Sequence, residues 1–227
     1  MKKEEVRALI ERIGIVPVVR AFSSQEARFA AEAVWHGGIP IVEITMTVPG
    51  ALEVISELAR TTPEVLTGAG TVLDAETAQR CVEAGAKFLV SPGFDLRTVE
   101  FAIEKNVLIM AGALTPTEVL TAWKAGADFV KIFPCAQVGG ASYIKALKGP
   151  LPQVPLVPTG GVNLDTAADY LLGGAAALGV GGELILKEAV QLRKAGLIKD
   201  MASRFVNVVN STRKQIRPKK ESTTTHA

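Results

Sequence analysis

Two residues of this 227-residue chain have the types for amine–carbonyl chemistry, in settings where neither type is common. Lys131 lies inside Phe129-Val130-Lys131-Ile132-Phe133-Pro134, an apolar run closed by proline. Such a run reads as a strand buried on both faces. An unpaired ammonium is costly to bury, so this lysine must be paired, neutral or aimed into a cavity. Glu43 interrupts a second apolar run, Ile41-Val42-Glu43-Ile44. A lysine in a low-dielectric pocket is expected to titrate low and to spend more time as the neutral amine. The neutral amine attacks a carbonyl and forms a Schiff base. The iminium is an electron sink, so a carbon–carbon bond beside it can break or form. A carboxylate within reach can move the protons this requires. Histidine offers no competing acid–base group, because His36 and His226 both fall away from strand ends. The same scarcity argues against a metal site.

Other groups could hold a substrate. Arg20 ends an apolar run, and a guanidinium there can grip a carboxylate through two hydrogen bonds. Thr45, Thr47 and Thr71 stand at or just past strand ends, where hydroxyls can orient a carboxylate or a sugar hydroxyl. Thr159-Gly160-Gly161 and Gly179-Val180-Gly181-Gly182 are glycine-rich stretches after late strands. Backbone N–H groups in such loops can cradle a phosphate. Cys135 follows the lysine strand, but nothing near it in sequence activates a thiol, so it reads as a bystander.

The elements that must position these groups alternate from end to end. A helix over Lys3 to Ile13 precedes a strand from Ile15 to Arg20. Ser23 or Ser24 caps a helix running to about His36. A strand from Ile39 to Thr45 leads to a helix from about Pro49 to Arg60, with proline in its first turn. Strands from Leu66 to Thr71, Phe88 to Ser91, Val107 to Ala111 and Phe129 to Phe133 follow. Their helices start near Asp74, Asp95, Thr115-Pro116 and Ser142. Leu156 to Pro158, a helix capped by Asn163, Ala177 to Val180 and a closing helical stretch over Val190 to Ile216 complete the series. Eight strand–helix units predict an α/β fold, a (β/α)8 TIM barrel with an N-terminal helix before its first strand. The expected organisation is one domain over residues 1–217 and a flexible tail over 218–227.

An internal repeat adds register. Four helix-to-strand junctions superpose on Gly38, Gly85, Gly126 and Gly174, each suited to the left-handed residue that ends a helix. Glu43, Val90, Lys131 and Gly179 fall at one common step after these glycines. They lie on strands two, four, six and eight, and alternate strands fill the layers of a barrel interior. Glu43 and Lys131 are therefore expected to face one space from opposite walls. Val90 flanks them, and Gly179, without a side chain, leaves room. The plainer alternative is a buried structural ion pair.

Composition narrows the class. The 25 basic and 23 acidic residues balance to a net charge of +2, which does not predict a nucleic-acid or membrane surface. Two cysteines, Cys81 and Cys135, form no disulfide framework and fit a reducing cytoplasm. No apolar run reaches the ~18 residues of a membrane span. The charged start, Met1-Lys2-Lys3-Glu4-Glu5, leads into an amphipathic helix and does not read as a signal peptide.

Five motifs in order carry a family resemblance. Val42-Glu43-Ile44-Thr45, Gly68-Ala69-Gly70-Thr71-Val72, Val90-Ser91-Pro92-Gly93, Val130-Lys131-Ile132-Phe133-Pro134 and Pro158-Thr159-Gly160-Gly161-Val162 resemble the class I 2-keto-3-deoxy-6-phosphogluconate (KDPG) aldolases. Many members of that family also cleave 4-hydroxy-2-oxoglutarate. The likeness spans roughly Ile13 to Leu186. It implies that Lys131 forms a Schiff base with pyruvate, that Glu43 is the acid–base group and that Arg20 binds the pyruvate carboxylate. It implies that Thr71, Pro92 and Phe133 line the pocket, and that Gly160, Gly161, Gly181 and Gly182 bind phosphate. It implies a homotrimer with no metal and no cofactor. Two positions depart from the common pattern: Thr47 replaces an arginine, and Glu183 replaces a serine that helps hold the phosphate. A carboxylate beside a phosphate repels it. The expected reaction is reversible cleavage of a 2-keto-4-hydroxy acid into pyruvate and an aldehyde. The rival classes are a phosphate-binding isomerase or epimerase barrel, which has no use for the Glu43–Lys131 pair, and a non-catalytic oligomeric scaffold on this fold.

Overall fold

The computed structural model describes residues 1–216. The expected tail over 218–227 lies outside the described residues. Eight strands form one parallel sheet: β1 (Ile15–Val19), β2 (Ile41–Thr45), β3 (Leu66–Gly70), β4 (Phe88–Val90), β5 (Leu108–Ala113), β6 (Phe129–Ile132), β7 (Leu156–Pro158) and β8 (Leu178–Val180). Each pairs with its neighbours in chain order, β1 also pairs with β8, and a bridge between Thr159 and Gly179 closes the ring. Every strand residue is buried, because the interior fills one face and helices cover the other.

The helices are α1 (Lys3–Ile13), α2 (Ser24–His36), α3 (Ala51–Thr61), α4 (Ala75–Glu83), α5 (Leu96–Glu104), α6 (Pro116–Lys124), α7 (Gly140–Lys148), α8 (Ala167–Leu172), α9 (Lys187–Gln191) and α10 (Ala195–Ile216). Local chemistry sets their starts. Ser23, Asp74, Asp95 and Thr115 each accept a hydrogen bond from a backbone N–H in the first turn. The four repeat glycines all take positive φ, from 98° at Gly174 to 108° at Gly85. They turn the chain from helix into strand as the repeat predicts. Helix α1 covers the end of the barrel where the strands begin. Val6 and Ile10 are buried, Lys3 pairs with Asp128 at 2.9 Å, and the Arg7 guanidinium lies 5.3 Å from the centre of the Phe129 ring.

Several details differ from the sequence expectation: α7 starts at Gly140 and not near Ser142, and α8 starts at Ala167 after Thr166, with no side-chain cap, and not at Asn163. Pro49 precedes α3 instead of entering it, because Gly50 takes φ 72° and makes the turn that starts the helix. The closing stretch is two helices, broken where Arg193 adopts φ 51°. Strand β5 runs on to Ala113, two residues past the expected end.

Candidate active site

Strand register fixes which side chains enter the barrel. Residues paired across parallel strands project to the same side, and side chains alternate along each strand. Val18 pairs with Glu43, Glu43 with Gly68, Val90 with Met110, Gly112 with Lys131, and Lys131 with Val157. Ala69 pairs with Leu89, so the intervening Gly68, Gly70, Phe88 and Val90 share the other face. Thr159 pairs with Gly179, and Gly179 with Val16. The circuit closes consistently around all eight strands. Glu43, Val90, Lys131 and Gly179 thus all face inward, as the repeat register predicts. Val42 and Val130 face the helices.

Glycines on the inward face make the space. A Cβ on Gly70 would stand 1.9 Å from Glu43 Oε1, so the carboxylate rests directly over that glycine. A Cβ on Gly112 would stand 2.2 Å from the Pro92 carbonyl carbon, so Gly112 lets the loop after β4 close over the interior. Gly68 makes way for the Phe88 ring in the same manner. Gly179 departs from the expectation. Its space is taken by Thr159, whose Oγ1 would lie 2.2 Å from a Cβ there, so it leaves no room for substrate.

Glu43 and Lys131 are 2% and 4% exposed. No ion pair joins them among the described residues, and Glu43 Oε1 is buried without any hydrogen-bond partner. A structural ion pair would be closed and satisfied, whereas here no ion pair forms and Glu43 Oε1 is left without a partner. Burial pushes the Glu43 carboxyl above its ordinary range, and the nearby charges of Lys131 and Arg20 pull the other way. Lys131 Nζ stands 5.3 Å from the centre of the Phe133 ring, so the half-buried ring forms one wall beside the amine.

The other expected residues stand at or just past the strands' C-terminal ends. Thr71 follows β3 with φ 58°. A β-branched residue pays about 1–2 kcal/mol to sit there, a cost seen mostly at functional sites. Pro92 and Phe133 are half-buried past β4 and β6. Gly160 and Gly161 take φ 87° and 81°, and a Cβ on Gly161 would collide with Ala136. Gly181 is half-buried and Gly182 exposed. Two hydroxyls are occupied by the protein itself. Thr45 donates to the Val19 carbonyl at 3.1 Å and meets the Thr47 hydroxyl at 2.8 Å. Thr159 is buried and donates to the Val157 carbonyl at 3.4 Å. Cys135 is buried and its thiol is pushed up to about 11, which fits a bystander.

Beside this centre a cavity of about 520 Å³ opens between the ends of β1, β2 and β8. Its walls include Val18, Arg20, Phe22, Thr47, Gly182 and Lys187. Sequence reasoning missed Phe22 and Lys187. Neither sits in a motif or periodic pattern, and only folding brings the loop after β1 against the start of α9.

Replacing Gly70 by alanine tests the seat of the carboxylate. The added methyl group displaces Glu43 without removing it. Misplacing a reacting group by about 1 Å costs on the order of 10²-fold in rate. We expect kcat to fall by about that factor while pyruvate still labels Lys131, measured by steady-state kinetics and mass spectrometry.

Comparison with known proteins identifies the family. Residues 6–201 match the family model for KDPG and KHG aldolases, KHG being 4-hydroxy-2-oxoglutarate. The 2-dehydro-3-deoxy-phosphogluconate aldolase of Treponema pallidum (strain Nichols) is 39% identical over 162 residues, 71% of this chain and 77% of that protein. The Pseudomonas aeruginosa enzyme of the same name is 34% identical over 189 residues, 83% of this chain and 86% of the relative. A crystal structure of KDPG aldolase from Legionella pneumophila, with pyruvate captured at low pH as a covalent carbinolamine intermediate, superposes with a TM-score of 0.81. That pair is 31% identical and covers 87% of this chain and 96% of the other. A parallel barrel with an inward lysine facing an unpartnered carboxylate, matched along most of its length, places this chain in the KDPG and KHG aldolase family.

Proposed function

We propose that this aldolase cleaves 2-keto-3-deoxy-6-phosphogluconate reversibly to pyruvate and glyceraldehyde 3-phosphate through a Schiff base on Lys131. The observation that carries this reading is the buried, unpartnered Oε1 of Glu43 on the same inward face of the barrel as a buried lysine. The Lys131 amine adds to C2 of the keto acid, and water leaves to give the iminium. Glu43 takes the proton of the C4 hydroxyl as the C3–C4 bond breaks. The bonding electrons pass into the iminium and form an enamine, and the aldehyde departs. Glu43 then returns its proton to C3, and hydrolysis releases pyruvate. A carboxyl raised above its ordinary range suits a group that both accepts and returns a proton.

Thr71, Pro92 and Phe133 line the pyruvate end in this proposal, and Arg20 supplies a guanidinium for the pyruvate carboxylate. The backbone of Gly160, Gly161, Gly181 and Gly182 receives the far end. Thr45 and Thr159 act as supports, since their hydroxyls are bonded within the protein. One domain over residues 1–217 carries the whole reaction. The same reading carries a homotrimer, measurable as mass in solution, in the cytoplasm. No helix among the described residues is long and apolar enough to cross a membrane.

Glu183 favours a second reading, cleavage of unphosphorylated 4-hydroxy-2-oxoglutarate to pyruvate and glyoxylate. Cleavage rates on the phosphorylated and unphosphorylated keto acids separate the two. We expect kcat/KM to be higher for the phosphorylated acid. Equal values would move the assignment to 4-hydroxy-2-oxoglutarate.

A further inference from the structure

The cavity beside the catalytic centre has an unbalanced charge. Arg20 and Lys187 line it, and no carboxylate does. Glu183 lies between Gly182 and Lys187 in sequence, yet it is exposed, forms no ion pair among the described residues and is absent from the cavity wall. The chain therefore turns its cations toward the cavity and its anion away. Lys187 is also held in place. Its Nζ lies 4.7 Å from the centre of the Phe22 ring. Phe22 is 66% exposed, an unusual position for a phenylalanine, and it lines the same cavity. A cation over an aromatic face gains a modest attraction even at an exposed site. The ring thus gives a flexible lysine a preferred place at the mouth.

We propose that Lys187 holds the anionic group at the end of the substrate remote from the keto carbon. Lys187 makes the enzyme prefer a phosphorylated keto acid, with Phe22 as its positioning residue. This rests on the aldolase reading above and adds to it the source of substrate preference. The Lys187 ammonium can pair with a phosphate through a charge-assisted hydrogen bond. Gly182, open on the cavity side, brings backbone beside it. The serine expected at position 183 is replaced in function by the cation four residues later, so the glutamate at 183 does no harm.

The test compares the parent enzyme with Lys187→Met and Lys187→Arg on the phosphorylated and unphosphorylated keto acids. A charge-assisted contact removed from a binding site costs about tenfold to a hundredfold in affinity. We expect the ratio of kcat/KM values, phosphorylated over unphosphorylated, to fall by that factor in Lys187→Met through KM. Lys187→Arg restores most of the preference, and Glu183→Gln shifts the ratio less than Lys187→Met does. A ratio that Lys187→Met leaves as it was overturns the proposal. So does a parallel fall on both substrates, which a structural role would give. Failure of the aldolase reading shows separately, as no pyruvate adduct on Lys131 in the unsubstituted protein.

Discussion

Replacing Lys131 by methionine is expected to leave a folded protein whose aldol cleavage is lost by about 10⁵-fold or more. Removing the nucleophile of a covalent mechanism costs on this order in kcat, because binding and electrostatics that remain recover little of the chemistry. Folding should survive. Lys131 is buried on β6 among Gly112, Val157 and the Phe133 ring. Methionine has similar reach, no charge to bury, and a sulfur that packs well against an aromatic ring. Thermal unfolding of Lys131→Met should occur at or above the parent temperature, since the substitution removes a polar group from an apolar interior. Cleavage is followed by pyruvate release. Activity near the parent value would place the chemistry on another residue.

The second large effect is at Glu43. Glu43→Gln keeps the shape of the side chain over Gly70 and removes its ability to exchange protons. We expect kcat to fall by about 10²–10⁴-fold, the usual contribution of one positioned acid–base group. Schiff-base formation should persist at equilibrium, whereas exchange of the pyruvate methyl hydrogens with solvent deuterium should be lost. The pH dependence carries the same signature. Glu43 must be ionised to accept the hydroxyl proton, and burial raises its pKa. In the parent, kcat/KM should therefore fall with decreasing pH along a limb above the ordinary glutamate value of about 4.3. That limb disappears in Glu43→Gln. Methyl exchange at the parent rate in the variant would remove Glu43 from the mechanism.

Much of the catalytic centre was legible before folding. The four glycine junctions repeat because each strand–helix unit meets the same geometric problem, a left-handed exit from a helix into a strand. That repeat carried the register, and the register put Glu43 and Lys131 inside. The seat of Glu43 on Gly70 had no such signal, because that contact crosses from β2 to β3. What stayed hidden depends on contacts between distant segments. Nothing local says that the Thr159 side chain occupies the space above Gly179, because that contact crosses from β7 to β8. Nor does any pattern join Phe22 to Lys187, which approach only when β1 and β8 close the ring. The start of α3 was misread because Gly50, at positive φ, can make the entry turn that Pro49 otherwise would. The cavity beside the centre was likewise out of reach, since its walls come from three separate loops.

The most direct test of the Schiff-base mechanism is trapping. The protein is incubated with pyruvate, reduced with borohydride, digested and mapped by mass spectrometry. The mechanism predicts the mass of one reduced pyruvyl group on the peptide containing Lys131, and none on Lys131→Met. An unmodified Lys131 peptide, or an adduct carried instead by exposed Lys145, would contradict it.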